Sequence, residues 1–189
     1  MRGRWFTAKW AKLKSAAAIV FICLFAAFSI AVKTELRREK SALDTIKTGE
    51  PMPDFSLPDR DGKVVRLSDV TKANKVVLVN FWASWCAPCR IEMPGFEQLY
   101  RDEKKNGFAI LAVAEDKERA KLDAYLKEKP VSFPVLLDAD GALGEKLKIE
   151  SLPTNVVIGP NGKVIQVQEG VERYLEYLVR TQLAAAKKR

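Results

Sequence analysis

Two cysteines, Cys86 and Cys89, are separated by two residues in the stretch NFWASWCAPCRIEMP, residues 80 to 94. A pair of thiols at this spacing has three chemical uses. It forms a structural disulfide, it contributes half of a metal site, or it exchanges electrons with other thiols and disulfides. The rest of the sequence distinguishes among these uses.

The first two uses are poorly supported by this sequence. A disulfide between residues three apart closes a very small loop and therefore adds little stability. A structural zinc site needs four ligands, but the chain has only one further cysteine, Cys23, and no histidine. The absence of histidine also excludes a Cys-His or Ser-His catalytic pair. Two-coordinate Cu(I) needs only two soft ligands, so a Cu(I)-binding carrier remains an alternative to redox exchange.

The segments on either side of the pair suit redox exchange. The valine-rich run KVVLVNF, residues 75 to 81, predicts a strand buried on both faces. Pro88 favours the first turn of a helix, which is predicted to run to about residue 105. Cys86 then lies at the helix N-terminus, where free N–H groups and the helix dipole stabilise a thiolate. Cys86 is therefore the predicted attacking thiol, and Cys89 is the predicted resolving thiol.

The remaining pattern alternates strands and helices and predicts an α/β fold with a sheet covered on both faces. The apolar runs that flank DRDG predict a β-hairpin with Gly62 in its turn. Ser68 is a predicted helix cap, and Asp116 is the predicted cap of a helix that runs to about Lys127. Apolar runs and turn signals predict strands over 108–114 and 133–138, a short helix ending near Leu147, a hairpin formed by TNVVIG and KVIQVQ, and a final helix over 171–186.

The basic charge is confined to the two ends of the chain. The net charge is +8; five basic residues precede position 33, and three more, Lys187, Lys188 and Arg189, end the sequence. Residues 33 to 186 carry 24 basic and 24 acidic residues, so the body of the protein is neutral. No nucleic-acid partner is therefore expected.

Residues 15 to 32 form an uncharged apolar run that follows a basic cytoplasmic N-terminus, residues 1 to 14. A helix of this length spans roughly 27 Å, enough to cross a bilayer core, which predicts a transmembrane signal-anchor. A cleaved signal peptide is the alternative, with Ser29 and Ala31 as small residues at the cleavage site. The excess of basic residues before the run predicts that the domain lies outside the cytoplasm. Cys23 is then an apolar membrane residue.

Three segments follow the predicted anchor. Residues 33 to 52 are polar and charged and predict a linker, residues 53 to 186 form the predicted folded domain, and residues 187 to 189 form a basic tail. The predicted protein is a single-pass protein of the cell membrane with its catalytic domain on the periplasmic or extracytoplasmic side, where disulfides persist.

The dithiol segment resembles that of the membrane-anchored TlpA/ResA/DsbE proteins, which carry a thioredoxin domain of the AhpC/TSA-Redoxin type. Their pattern, Trp-Cys-x-Pro-Cys-(Arg/Lys)-x-Glu-x-Pro, is matched from Trp85 to Pro94. The resemblance covers residues 50 to 180, through PMPDFSLPDRDGKVVRLSDV and SLPTNVVIGPNGKVI. It implies a thioredoxin-like α/β fold with an N-terminal β-hairpin and an inserted helix-strand, preceded by one transmembrane helix. The implied activity is that of a thiol-disulfide oxidoreductase.

The same resemblance implies roles for residues near the dithiol. Thioredoxin-like folds place a cis-proline opposite the dithiol, and Leu152-Pro153 stands at that place. A cis bond lets the Leu152 backbone pair with an extended substrate, whereas an ordinary trans proline before a strand is the alternative. Glu92 lies on the helix face of Cys89 and is expected to exchange protons with it through a pKa raised by burial. A solvated helix carboxylate is the alternative for Glu92.

Aromatic and acidic residues complete the expected site. Trp85 and Pro88 are the other predicted substrate-binding residues, and Pro88 also stiffens the loop between the cysteines. Trp82 and Trp85 either form an apolar rim around the dithiol or pack in the core. Glu115, at the end of a predicted strand, is expected to be a carboxylate at the start of a helix. Peroxiredoxins place Thr or Ser three residues before their reactive cysteine, and Ala83 stands there, so peroxide reduction is not expected.

The expected function is reduction of disulfides in extracytoplasmic proteins by dithiol–disulfide exchange. By resemblance, the expected substrates are apocytochrome c or the cysteines of copper proteins, and a membrane-embedded thiol protein supplies the electrons. No cofactor or metal is expected besides the redox-active Cys86–Cys89 disulfide. The alternatives left open are an oxidising role, a Cu(I) carrier or metallochaperone using the same dithiol, and a noncatalytic docking module.

Overall fold

The computed structural model describes Phe25, residues 45–171 and residues 173–187. The chain divides near residue 40 into two compact units, and the second of these contains the dithiol. No helix in the described ranges is both long and apolar enough to cross a membrane.

Most of the predicted N-terminal features lie outside the described residues. These are the basic segment 1–14, Cys23 and the rest of the predicted anchor over 15–32 apart from Phe25, most of the linker, and the tail residues 188 and 189. The anchor, its orientation and its cleavage therefore stay predictions.

A short antiparallel hairpin begins the folded unit. It consists of β1 (Ser56–Pro58) and β2 (Val64–Arg66). Gly62 lies in its turn with a φ of 84°, a conformation that glycine adopts without strain. The Asp59 carboxylate accepts hydrogen bonds from the backbone N–H groups of Asp61 and Lys63, which fixes the turn. The predicted hairpin at DRDG is confirmed.

The central sheet has five strands in the order β5-β4-β3-β6-β7. The first three strands along the chain are parallel, and the last two form an antiparallel hairpin. All seven residues of β3 are buried, as the valine-rich run predicted for a strand covered on both faces. The strands are β3 (Val76–Trp82), β4 (Phe108–Ala114), β5 (Val135–Leu137), β6 (Thr154–Ile158) and β7 (Val164–Glu169).

Five helices flank this sheet in the described part of the chain. The helix that carries the dithiol, α2, ends in a 3₁₀ turn over Lys104–Asn106, and Gly107 follows with a φ of 93°. This is the helix stop that the sequence predicted near Gly107. The helices are α1 (Leu67–Ala73), α2 (Ala87–Glu103), α3 (Arg119–Glu128), α4 (Ala142–Leu147) and α5 (Leu175–Lys187).

The hydrophobic core has two parts, one on each face of the sheet. Buried residues of α2, α3 and α5 pack on one face, and those of the β1–β2 hairpin region, α1 and α4 pack on the other. A sheet covered in this way leaves its strand ends and the loops beyond them for function. The predicted thioredoxin-like α/β fold is confirmed.

The folded unit begins earlier than the predicted boundary at residue 53. Ile46 is buried in the core, Met52 is also buried, and Pro51 forms a β-bridge with Lys163. The predicted linker over 33–52 is therefore wrong for its last residues. Isolated apolar residues in a polar stretch show no periodicity, so the sequence carries no signal that they join a distant core.

Two predicted helix caps are also wrong. Helix α1 begins at Leu67, so Ser68 lies inside it, and its backbone N–H donates to Asp54 at 2.9 Å. Helix α3 begins at Arg119 with Glu118 at the cap position, whereas Asp116 is buried in the preceding loop. In both places a carboxylate accepts hydrogen bonds from a residue distant in the sequence. Asp54 accepts from Ser68, and Asp116 accepts from Ser84.

Candidate active site

The dithiol lies between the C-terminal end of β3 and the start of α2. Cys86 is the N-cap residue of α2, and its Sγ accepts a hydrogen bond of 3.2 Å from the backbone N–H of Cys89. Its carbonyl oxygen accepts from the N–H of Arg90 at 3.1 Å, which starts the helix. The sulfur therefore meets the positive end of the helix dipole and a free backbone donor, and both favour a thiolate at Cys86.

The Sγ atoms of Cys86 and Cys89 form a disulfide, with Cα atoms 5.3 Å apart. Cys86 is 6% exposed and Cys89 only 1%. An incoming sulfur therefore reaches Cys86 before Cys89. This accessibility agrees with the predicted order of attack, with Cys86 first and Cys89 as the resolving thiol.

A buried carboxylate holds the loop that presents Cys86. Asp116, which follows β4, accepts hydrogen bonds from the backbone N–H of Ser84 at 2.9 Å and from the Ser84 hydroxyl. The backbone N–H of Cys86 donates to the Ala83 carbonyl at 3.1 Å in the same turn. Asp116 therefore fixes the path of the chain two residues before the attacking sulfur.

The two tryptophans near the dithiol have different environments. Trp82 is fully buried and packs against Tyr125, with ring centroids 5.6 Å apart, so it belongs to the core. Trp85 is 67% exposed and lines the groove beside Cys86. The guanidinium carbon of Arg90 lies 5.3 Å from the centroid of the Tyr125 ring. Of the two tryptophans, Trp85 is the one placed to meet a substrate.

A groove of about 410 Å³ opens beside Cys86. One wall is formed by the start of α2, with Trp85 and Pro88, and the opposite wall by the segment that ends in Leu152. The Leu152–Pro153 peptide bond is cis, as the resemblance implied. The structure therefore brings the predicted substrate-binding residues into one place.

A chain of buried polar side chains leads away from the dithiol helix. Glu92 is 7% exposed and lies one turn after Cys89. Asn155 donates to both carboxylate oxygens of Glu92, at 3.1 and 3.3 Å, and accepts from Asn80 at 2.8 Å. Glu92 is thus buried and hydrogen-bonded across to β6, which excludes the alternative of a solvated carboxylate.

Glu115 is a carboxyl group near the dithiol with a strongly raised pKa. Burial, and secondly the charge of Asp138, raise its pKa from the ordinary 4.5 to about 7. It lines the Cys86 groove at the end of β4, and its Oε1 atom is buried without a hydrogen-bond partner. The expectation that it starts a helix is wrong, because α3 begins four residues later.

Replacing Glu115 with glutamine should stabilise the protein at alkaline pH. The pKa of Glu115 is higher in the folded than in the unfolded chain, so the wild type loses stability as the pH rises from about 4.5 to about 7. After a discount for partial solvent screening, the gain in the variant should be about 1–2 kcal/mol above neutrality. Urea unfolding of both proteins at about pH 4 and pH 8 measures it.

The exposed Glu150, which lines the same groove, offers a matched control. Glu150→Gln makes the same chemical change without relieving a buried carboxyl, and should leave the free energy of unfolding within about 0.5 kcal/mol of the wild type. Equal stability of Glu115→Gln and wild type at both pH values would contradict the perturbed titration.

Sequence reasoning missed Asp116, Asn155 and the environment of Glu115. Within its own segment, an aspartate before a helical pattern predicts a helix cap, and an asparagine among valines predicts no particular role. A polar residue inside an otherwise apolar strand, such as Asn155 or Asn80, was the signal available. Buried polar groups of this kind need partners, and the partners here lie on other strands and helices.

No group of three or more His, Cys, Asp or Glu residues suitable for a metal ion occurs within the described ranges. Two-coordinate Cu(I) would need only the two cysteines, whose sulfurs are joined to each other in this structure. This disulfide is the oxidised of the two states between which thiol–disulfide exchange cycles.

The fold and the site together define a thioredoxin-like protein with a redox-active dithiol. Residues 48–167 match the AhpC/TSA family. The chain is 33% identical over 155 residues to the thiol-disulfide oxidoreductase ResA of Oceanobacillus iheyensis, covering 80% of this chain and 78% of that protein. It is 36% identical over 127 residues to ResA of Bacillus subtilis, covering 67% and 70%.

Solved structures agree with these relatives. A crystal structure from Chlorobium tepidum, provisionally identified as the thiol:disulfide interchange protein DsbE, matches with a TM-score of 0.66 and 34% identity, covering 75% of this chain and 98% of that one. The chain belongs to the ResA/DsbE-like family of thioredoxin-fold proteins and is a thiol-disulfide oxidoreductase. The copper-carrier alternative is not favoured, because these relatives are named for disulfide exchange.

Proposed function

We propose that this oxidoreductase reduces disulfides in other proteins on the extracytoplasmic side of a membrane. The observation that carries the proposal is Cys86 at the N-cap of α2, with its sulfur accepting the Cys89 N–H and facing an open groove. This environment stabilises a thiolate on the more exposed of the two cysteines.

In the first step, the Cys86 thiolate attacks one sulfur of a substrate disulfide. A mixed disulfide forms between Cys86 and the substrate, and the second substrate sulfur leaves as a thiolate that takes up a proton. The exposed Trp85 ring offers apolar contact on one wall of the groove, and the Leu152 backbone next to the cis bond pairs with an extended substrate segment.

In the second step, Cys89 attacks the Sγ atom of Cys86. The Cys86–Cys89 disulfide forms, and the first substrate sulfur is released as a thiolate and then protonated. Cys89 must lose its proton before it attacks, and Glu92 on the same helix face is the proposed acceptor. Asn155 holds the Glu92 carboxylate through two hydrogen bonds and thereby fixes its orientation.

The proposed setting is a protein anchored by residues 15–32 with its domain outside the cytoplasm. Support comes from the uncharged run after a basic segment and from a disulfide-exchange site, which is useful where disulfides persist. The proposed substrates are cysteine pairs in extracytoplasmic proteins, such as apocytochrome c or copper-site precursors. A membrane thiol protein is the proposed donor that reduces the disulfide again.

Replacing Cys89 with serine should trap the substrate. The variant keeps the attacking thiol but lacks the resolving one, so the mixed disulfide at Cys86 accumulates. Full-length Cys89→Ser protein produced in cells should carry covalently attached partners, which mass spectrometry identifies after reduction. The double variant Cys86→Ser/Cys89→Ser is the control and should capture nothing.

The same cells test the proposed location. A thiol reagent that does not cross membranes, present while the Cys89→Ser protein is being produced, should block trapping if the domain faces outward. Capture of cytoplasmic proteins alone, with no effect of that reagent, would refute the extracytoplasmic role. Absence of any Cys86-dependent partner would refute a dedicated protein substrate.

A further inference from the structure

Glu115 is a partly buried carboxyl group close to the dithiol. It lies at the end of β4 in the wall of the groove that contains Cys86. Its Oε1 atom is buried and has no hydrogen-bond partner among the described residues. A Cβ atom added at Gly144 would lie 2.7 Å from that oxygen, so α4 presses closely on the carboxyl group.

The charged groups around Glu115 are acidic. Asp138, behind it, accepts hydrogen bonds from the N–H groups of Leu143 and Gly144 at 3.1 and 2.9 Å. Glu150 lines the same groove, and no lysine or arginine is among the residues that line it. Burial, and secondly the charge of Asp138, raise the pKa of Glu115 to about 7.

Glu115 and Glu92 line different cavities. Glu92 lines a separate pocket of about 200 Å³ with Ile91 and Phe96, and it is not part of the wall of the Cys86 groove. Glu92 lies one turn after Cys89 on the same helix and is the carboxyl group proposed above for Cys89. A proton held by Glu115 is placed for whatever occupies the groove beside Cys86.

We propose that Glu115 is the general acid that protonates the substrate thiolate leaving when Cys86 attacks. The inference deepens the proposed function and rests on it. In this step the Cys86 thiolate forms a bond to one substrate sulfur, the substrate S–S bond breaks, and its electron pair stays on the other substrate sulfur. That sulfur takes the proton of the Glu115 carboxyl, which becomes a carboxylate. In the reverse direction the Glu115 carboxylate takes the proton of an incoming thiol.

A carboxyl group suits this task because it is partly protonated near neutrality. General acids work best when their pKa lies near the working pH. An ordinary surface glutamate is almost fully ionised at pH 7 and has no proton to give. The surroundings of Glu115 therefore lower the stability of the folded protein above neutral pH, but they keep on Glu115 a proton that the reaction can use.

Two disulfides that release different thiolates distinguish protonation of the leaving group from an effect on Cys86 itself. Reduced full-length wild-type and Glu115→Gln proteins are reacted at about pH 6 with two uncharged disulfides. Hydroxyethyl disulfide releases a basic alkyl thiolate that benefits from protonation, whereas dithiodipyridine releases a stable group that does not. Glu115→Gln should react roughly tenfold or more slowly with hydroxyethyl disulfide and at the wild-type rate with dithiodipyridine.

The pH dependence and further variants complete the test. The difference between wild type and Glu115→Gln should disappear above about pH 8, where Glu115 has lost its proton. Glu115→Asp should restore part of the rate, and Glu145→Gln, at an exposed position of α4 outside the groove lining, should leave both rates unchanged. These conservative changes also show that the loss does not come from misfolding.

Each contrary result has a distinct meaning. Equal slowing with both disulfides would overturn the inference, because Glu115 would then act on Cys86 or on the structure of the site. Wild-type rates with both disulfides would overturn it as well. If the reduced wild type reacts with neither disulfide while Cys86 remains open to alkylation, the proposed exchange function itself fails.

Discussion

A Cys86→Ser variant is expected to lose disulfide exchange by roughly a thousandfold or more. Serine keeps the N-cap position and can still accept the N–H of residue 89, so the helix start should survive. Its hydroxyl does not ionise near neutrality and forms no disulfide, so the first step has no nucleophile. Stopped-flow fluorescence of the reduced full-length protein with a small disulfide measures the rate.

The matched control is Cys89→Ser, which removes the buried thiol instead. It should still react once and stop at the mixed disulfide, because the resolving thiol is missing. The difference in burial between Cys86 and Cys89 is the reason for the different outcomes. If Cys86→Ser reacted normally and Cys89→Ser did not react at all, the assignment of attacker and resolver would be reversed.

An Asn155→Asp variant is expected to destabilise the protein by roughly 3 kcal/mol at alkaline pH. The change keeps an oxygen that accepts from Asn80, but it replaces the donor to Glu92 with a second buried carboxylate. Two like charges at hydrogen-bond distance cannot both stay ionised, so one carboxyl must have a raised pKa in the folded state. Stability should therefore fall as the pH rises above the unfolded value near 4 and recover in acid.

Urea unfolding at about pH 4 and pH 8 measures this effect, and Asn161→Asp provides the control. Asn161 is exposed in the β6–β7 turn, where its side-chain oxygen accepts from the Lys163 N–H, so the same substitution keeps that hydrogen bond. The control should change the free energy of unfolding by less than about 0.5 kcal/mol at either pH. An Asn155→Asp protein as stable as the control at pH 8 would show that the hydrogen bonds to Glu92 matter little.

Much of the fold followed from local patterns. The valine-rich run of β3, the turn at Gly62 and the helix stop at Gly107 are encoded in stretches of fewer than ten residues, and all three are confirmed. Such signals are reliable because burial on both faces, a positive φ and the end of a helix each demand particular residues at that place. The start of the folded unit at Ile46 carried no such signal.

The chemistry of the dithiol can be predicted from the amino-acid sequence without a structure. The spacing of Cys86 and Cys89, the lack of histidine, and a strand followed by a helix start leave thiol exchange as the use that the residues support. These properties depend on neighbours within one turn of helix, and a sequence displays them directly. The resemblance from Trp85 to Pro94 then pointed to the family, to which the chain belongs.

The groups that surround the two sulfurs follow from the packing of distant segments and not from local sequence. Asp116 reaches back to Ser84, Asn155 reaches across to Glu92, and Glu115 is enclosed by α4 next to Asp138. These partners are 23 to 63 residues apart in the chain, where no periodic pattern relates them. The titration and orientation of a carboxyl group depend on burial and on charges a few ångströms away, and only the packing of the sheet and its helices sets those distances.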